Sequence, residues 1–302
     1  VVALPPYIAA ANREELFAYY DGIAEAAQCP VMIQHSFAGL DSALLSRLLT
    51  LEAFGYYAFA KVVAGTLSRV TGPITQAFYP RFTELVSRDD RIALTATYHR
   101  GAQLITVLAG SAAIMLIVFG QTILRLWTGD VALAQRLAPL LAVLSTGTLL
   151  NSLMHMPYQL QLAHGWTSLA VRINIVAVAV LVPTILWVTP RYGAIGAAGV
   201  WVTLNAGYVI FGIYFMHRRL ISQEKWRWYR QDVAVPLVIA LATAAFLRWI
   251  LPDDAGRLVQ LVGLLLSAAL VLAAAAAAAP AVRRQIARHA PERVRALCLK
   301  TA

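Results

Sequence analysis

Eight polar side chains lie within or beside strongly apolar segments of the sequence, and they are the residues best suited to chemistry. They are Asp41, Arg47, Lys61, Arg69, Gln76, Asn151, Asn174 and Asn205. A charge inside an apolar segment is costly to bury, so it usually faces a polar cavity or a partner. The cations could contact an anionic group, and the amides could form hydrogen bonds with a polar ligand. We expect no catalytic residue, no cofactor and no metal site among them.

Each of these residues also has a purely structural interpretation. Arg47 and Lys61 lie near the motif EAFGYY and could extend their charged ends to the membrane surface. Arg69 lies deeper in its apolar segment, which favours a binding path, although it could equally pair with Asp41. The last two of the eight residues could simply hydrogen-bond between helices.

The segments that carry these residues are typical of a membrane protein. The chain of 302 residues is 60% hydrophobic, and only 13% of its residues are charged. A soluble domain usually has about 45–50% apolar and about 25% charged residues. Because roughly 20 apolar residues cross a membrane, we predict an all-α polytopic membrane protein. Its predicted spans are 58–80, 101–124, 137–157, 168–189, 194–216, 233–251 and 258–279.

Two stretches between residue 40 and the second predicted span, 101–124, interrupt the run of predicted helices. The motif EAFGYY predicts a short turn between a helix at 40–51 and the span at 58–80. Residues 81–100 are polar and predict either a loop or an interfacial helix.

The distribution of Lys and Arg predicts the orientation of the spans. The loops 81–100, 158–172, 217–230 and 283–300 together hold 16 of these residues, and the alternate set of loops holds 6. Because cytoplasmic loops are enriched in Lys and Arg, we expect the first set and the C-terminal tail to be cytoplasmic. The net charge of +10 is therefore assigned to membrane orientation and not to nucleic-acid binding.

Residues 1–38 have a different pattern. VVAL and CPVMIQ predict short strands, and ANREELFAYY between them predicts a helix with Asn12 as its N-cap and Glu15 three residues later. Strand, helix and strand within about 35 residues form a βαβ unit. We predict two domains, 1–38 and 39–302.

The second domain resembles the second half of an oligosaccharide flippase of the multidrug/oligosaccharidyl-lipid/polysaccharide exporter superfamily. The resemblance rests on the order and spacing of LDSALLSRLL, LEAFGYYAFA, FYPRFTEL, ILRLWTG and RYGAIGAAGVWVTLNAGY. It implies one lobe of a two-lobed helical transporter with about seven to eight spans. It also implies that six spans of the family's first lobe are absent from this chain, so activity would be incomplete.

The resemblance further implies the substrate. Such transporters move a polyprenyl-diphosphate-linked oligosaccharide to the outer leaflet of the bacterial inner membrane, for lipopolysaccharide or other surface polysaccharide. Arg47, Lys61 and Arg69 would contact the diphosphate, and Gln76 and the asparagines would contact the sugars. Membrane lipids and a polysaccharide polymerase are the other expected partners, and nucleic acid is not.

The first domain resembles a different family, the barrel aldolases of the dihydrodipicolinate synthase/N-acetylneuraminate lyase type. LPPY, REEL and PVMIQ carry this resemblance. The family's Tyr–Asn pair corresponds here to Gln34 and His35, and its Schiff-base Lys would lie on a further strand that the chain lacks. Lys61 falls near that spacing on a membrane helix. Aldolase activity is therefore not expected, and the segment is interpreted as a fused fragment or an unrelated amphipathic stretch.

A cation-coupled multidrug exporter of the same superfamily is the alternative transporter. Such a protein needs carboxylates embedded in the membrane for ion or proton coupling. From residue 39 onward, the sequence indicates only Asp41 and Glu52 as candidates.

Overall fold

The computed structural model describes residues 2–3, 32–33, 40–251 and 256–289, and nearly all of them are helical. Five helical elements in the described part are long and apolar enough to cross a membrane. The protein is therefore an all-α polytopic membrane protein, as predicted. The chain divides into two units, Val1–Arg47 and Leu48–Ala302.

The first unit contains a short parallel strand pair. β1 (Val2–Ala3) lies beside β2 (Met32–Ile33) within the two predicted strand segments. α1 (Leu40–Leu48) follows them. The helix predicted between the strands lies outside the described residues, so the barrel-like fragment and the boundary at 38/39 stay predictions.

The second unit is a bundle built around one central helix. Its helices are α2 (Leu51–Ser87), α3 (Arg91–Thr128), α4 (Val131–Leu153), α5 (His155–Ala163), α6 (Ser168–Leu220), α7 (Lys225–Ile250), α8 (Arg257–Ala278) and α9 (Pro280–His289). α3 packs against α2, α4, α7 and α8. It is the most buried apolar helix, because it has neighbours on every side.

The two halves of α3 bury different partners. Tyr98 and Ile105, in the first half, join a hydrophobic cluster that includes residues of α2, α5 and α6. Ile114 and Phe119, in the second half, pack in a cluster with α7 and α8. Gly129 ends the helix in the left-handed region at φ 74°, where glycine has no side-chain penalty.

The structure corrects two expectations about this region. Residues 81–100 are not a separate loop or interfacial helix, because α2 continues to Ser87 and α3 begins at Arg91. The EAFGYY motif is not a turn, since it forms the first turns of α2. The break lies just before it, where the Thr50 hydroxyl accepts a hydrogen bond from the Ala53 amide and caps the helix. α2 also continues through Pro73 and Pro80, because its packed face holds the helix together where each proline removes one backbone bond.

α6 is a helical hairpin. It bends at Gly193, whose φ of 60° and ψ of −150° are accessible to glycine and strained for other residues. The Tyr208 hydroxyl donates a 3.1 Å hydrogen bond to Asn174 Oδ1, so the two halves lie side by side. A straight helix of 53 residues would extend roughly 80 Å, which exceeds a membrane core of about 30 Å. α6 thus accounts for two predicted spans, 168–189 and 194–216.

Side-chain contacts join pairs of loops at two ends of the bundle. At one end, Arg100 Nε donates to Gln285 Oε1 at 2.7 Å, which joins two of the basic segments. At the other end, Arg136 lies 3.6 Å from the Glu52 carboxylate, which joins two of the alternate segments. The grouping of these loops is consistent with the prediction, and the side that faces the cytoplasm stays a prediction.

Candidate functional site

One face of α2 is exposed along most of the helix. Val62, Thr66, Arg69, Pro73 and Gln76 follow one another at alternating spacings of four and three residues, and all are exposed. We call these five residues the α2 stripe. Residues three and four apart share one face of a helix, so the stripe is continuous. The opposite face is buried against α3, α4 and α5.

Arg69 lies near the middle of the bundle. The Phe59 ring lies 5.3 Å from the Trp127 ring at one end of α3, and Phe78 packs beside Gly101 near the other. Arg69 is close to the midpoint between Phe59 and Phe78, about 14 Å along the helix from each. The α3 segment alongside is apolar and belongs to a candidate membrane helix, whereas α2, with the predicted span 58–80, is not among the five such helices in the described part. Arg69 is therefore exposed beside the apolar part of α3.

The other predicted cations have different surroundings. Lys61 lies on α2 and is half-buried. It is therefore on a helix, whereas the Schiff-base Lys of the barrel aldolases would lie on a strand. Arg47 is exposed on α1, in the first unit. The side chain of Asp41 lies outside the described residues, so the suggested Asp41–Arg69 pair stays untested.

The predicted asparagines make contacts between helices. Asn151 Nδ2 on α4 donates to Asn205 Oδ1 on α6 at 2.9 Å, and Asn205 Nδ2 donates to the Trp201 carbonyl at 2.8 Å. Asn205 is fully buried, and both the oxygen and the nitrogen of its side-chain amide have a hydrogen-bond partner within the protein. Asn174 is exposed and bonds Tyr208. These contacts match the structural interpretation, and a substrate role for them stays a prediction.

A second polar group, which the sequence analysis missed, lies at the end where α6 joins α7. His99 Nδ1 is hydrogen-bonded to Asp232 Oδ2, and His99 Nε2 lies 3.0 Å from Glu224 Oε2. Gln103 Nε2 donates to Asp232 Oδ1 at 2.7 Å. His99, Gln103 and Asp232 are buried, and Glu224 is partly exposed. We call these four residues the His99 cluster.

Gln103 extends the His99 cluster to α9. Its Oε1 accepts a 2.6 Å hydrogen bond from the backbone amide of Ala281. The cluster therefore links α3, the α6–α7 connection, α7 and α9. Because its two carboxylates contact opposite nitrogens of one imidazole ring, they do not converge on a point. Among the described residues, no group of three His, Cys, Asp or Glu side chains could hold a metal ion.

The expectation that Asp41 and Glu52 are the embedded carboxylates stays a prediction, and the structure adds a buried carboxylate outside that pair. Glu52 is exposed in the first turn of α2. Among the acidic residues that the structure describes, Asp232 is the one whose side chain has no exposed surface. Asp232 lies one residue before the predicted span 233–251, so it did not stand out as a charge within a span. The four-residue spacing of His99 and Gln103, which puts them on one face of α3, was the available signal.

An ion-paired turn connects α2 to α3. Glu84 accepts a 2.6 Å hydrogen bond from Arg81 and also contacts Arg88 at 3.1 Å. The hydrogen bond from Arg81, together with the two positive charges, lowers the pKa of the Glu84 carboxyl. This group is exposed, so its charge is screened by solvent.

Comparison with known proteins relates part of the chain to one family. The model of a family described as polysaccharide biosynthesis protein matches residues 22–134. The matched residues include α2 with its stripe, all of α3 and the beginning of α4. They also begin before the predicted domain boundary at 38/39. No curated protein and no solved structure matches the chain. This part of the chain is therefore similar to polysaccharide biosynthesis proteins, and it includes α3, one of the five helices long and apolar enough to cross a membrane.

Proposed function

We propose that the chain is one lobe of a flippase that moves a polyprenyl-diphosphate-linked oligosaccharide across the bacterial inner membrane. The observation that carries the proposal is an exposed arginine, Arg69, at mid-depth of a bundle of membrane-length helices. The match to a polysaccharide biosynthesis family over the same helix supports it. The protein would act as a transporter and not as an enzyme.

The cost of exposing Arg69 to lipid is the main physical argument. A charged side chain at the centre of a bilayer costs at least about 2.5–3.5 kcal/mol, so such residues face a polar cavity or a partner. The α2 stripe also contains Thr66 and Gln76, which are suited to hydrogen bonds with hydroxyl groups. A guanidinium binds phosphate oxygens in a bidentate manner. A lipid-linked sugar diphosphate has both kinds of group.

The orientation and partners follow from the same proposal. The end that holds the His99 cluster would face the cytoplasm, together with the C-terminal tail. Exposed apolar side chains on α6, α7 and α8, such as Val180, Val238 and Leu265, would contact membrane lipids. A polysaccharide polymerase would receive the translocated substrate on the other side.

A cation-coupled drug exporter is the second candidate, and the buried Asp232 favours it. Buried carboxylates are typical of proton-coupled transporters. We prefer the flippase because Asp232 belongs to the hydrogen-bonded His99 cluster, whereas the exposed group at mid-depth is a cation. A cation suits an anionic substrate better than a cationic drug.

Transport in proteoliposomes tests the proposal. The protein is reconstituted with a labelled polyprenyl-diphosphate oligosaccharide or, in a separate arm, with a labelled cationic drug. Arg69→Ala is expected to slow lipid-linked sugar transport by about tenfold or more, since it removes a charge-assisted contact. Arg69→Lys should retain an intermediate rate, because it keeps the charge without the bidentate geometry.

The matched control is Arg191→Ala. Arg191 is also an exposed arginine on a membrane helix, but it lies at the α6 bend and stacks over Trp187 at 4.5 Å. Its removal should leave transport unchanged. Equal rates for Arg69→Ala and Arg191→Ala, or transport of the drug alone, would contradict the proposed function.

A further inference from the structure

We propose that the contact between His99 and Glu224 is a proton-binding latch that holds the α6–α7 connection against α3. The proposal is independent of the molecule that the lobe transports, since it rests on the geometry of the His99 cluster. The ligand is a proton, and the element that responds is the connecting segment around residues 221–224.

The hydrogen-bond pattern shows where the proton must lie. Asp232 Oδ1 accepts from Gln103, and Asp232 Oδ2 is paired with His99 Nδ1. With Asp232 as acceptor, His99 Nδ1 carries a hydrogen. His99 Nε2 then lies 3.0 Å from a carboxylate oxygen of Glu224. A favourable contact at this distance requires one proton between the two atoms, on the imidazole or on the carboxyl group.

Loss of that proton makes the contact repulsive. A neutral His99 that donates through Nδ1 presents a lone pair at Nε2, directly toward the negatively charged Glu224. His99 is buried and cannot turn to solvent, whereas Glu224 is partly exposed. Glu224 already contacts Arg227 at 3.3 Å, and that exposed arginine can retain it after release. The connection is therefore the part that moves.

Other titratable and charged groups surround this bridge. They are Tyr98 and Arg100 from α3, His217 from α6, Lys225, Arg227, Tyr229 and Asp232 from α7, and the α9 segment bonded to Gln103 and Arg100. The Tyr98 ring contacts the His99 ring at 5.4 Å and the His217 ring at 5.5 Å, both edge to face, and neither the Tyr98 hydroxyl nor His217 Nε2 is hydrogen-bonded to the bridge. The bridge proton is therefore assigned to His99 and Glu224, whose facing atoms lie 3.0 Å apart.

The direction of the pH effect follows from proton linkage. The closed connection holds the bridge proton, and the open connection at alkaline pH does not. The state that binds more protons is favoured at low pH, so raising the pH favours opening. Ile221, a buried residue of the connection, would then become accessible to solvent.

Thiol labelling measures this opening. Cys29 and Cys298 are replaced by serine, and Ile221→Cys is introduced as the buried reporter. Ser222→Cys, at the neighbouring exposed position, corrects for the pH dependence of the thiol chemistry itself. The ratio of maleimide labelling rates, Ile221→Cys over Ser222→Cys, is expected to rise about tenfold from about pH 6 to about pH 9.

Substitution of Glu224 tests the assignment of the proton. In Glu224→Gln, the amide can donate to a neutral His99, so the ratio should stay low at both pH values. The control is Glu84→Gln, which removes another carboxylate at the same end and should keep the rise. If the labelling ratio of the protein with Glu224 intact does not change between the two pH values, that result alone overturns the proposal. A rise that persists in Glu224→Gln, or one that disappears in Glu84→Gln, would also overturn it.

Discussion

Replacement of Asp232 by alanine is expected to destabilise the bundle strongly. The carboxylate accepts hydrogen bonds from His99 and Gln103, and all three side chains are buried. Alanine leaves both donors without an acceptor, at about 1–3 kcal/mol for each, so the free energy of unfolding should fall by roughly 2–6 kcal/mol. Asp232→Asn should cost less, because its amide oxygen still accepts one of the two bonds.

Equilibrium unfolding in mixed micelles measures this loss. The control is Glu52→Ala, an alanine substitution at an exposed carboxylate whose pair with Arg136 spans 3.6 Å. Exposed ion pairs contribute about 0–1 kcal/mol, so the control should be nearly neutral. In a double-mutant cycle, Gln103→Ala combined with Asp232→Ala should be less destabilising than the sum of the two single variants. A loss for Asp232→Ala no greater than that of the control would refute the account of the buried network.

Three further substitutions test the packing of the helices. Gly147→Ala should cost about 1–3 kcal/mol in unfolding experiments, because the added methyl group would overlap the Trp201 ring, and Trp201→Phe in the same chain should recover part of the loss. Gly193→Ala should cost about 1–3 kcal/mol by straining the α6 bend, measured as a lower midpoint of thermal unfolding. Asn205→Leu should remove a coupling of about 0.6–1.7 kcal/mol with Asn151, measured in a double-mutant cycle.

Much of the helical architecture can be predicted from the distribution of apolar and charged residues along the chain. The long apolar blocks predict the membrane helices, and the glycine in TPRYG coincides with the bend between the two halves of α6. The alternation of successive spans predicts which loops share an end of the bundle, and the count of Lys and Arg predicts which end is cytoplasmic. These features depend on local sequence, which is why they were predictable.

The interactions that join distant segments were not predictable in the same way. His99 and Asp232 are separated by 133 residues, and neither interrupts a predicted span. The stabilisation of α2 across two prolines depends on its packing against α3 and α4, which no local pattern reveals. The hydrogen bond between Asn151 and Asn205 could not be predicted either, because it depends on how α4 packs against α6.

The central claim is that the α2 stripe borders a polar path and does not face lipid. Single cysteines at Thr66 and Gln76, in a chain without Cys29 and Cys298, can be treated with a membrane-impermeant maleimide in intact vesicles. Val238→Cys, on the exposed apolar face of α7, is the matched lipid-facing control. We predict labelling at both α2 positions and none at Val238→Cys. Protection of Thr66→Cys and Gln76→Cys to the same degree as Val238→Cys would contradict the account.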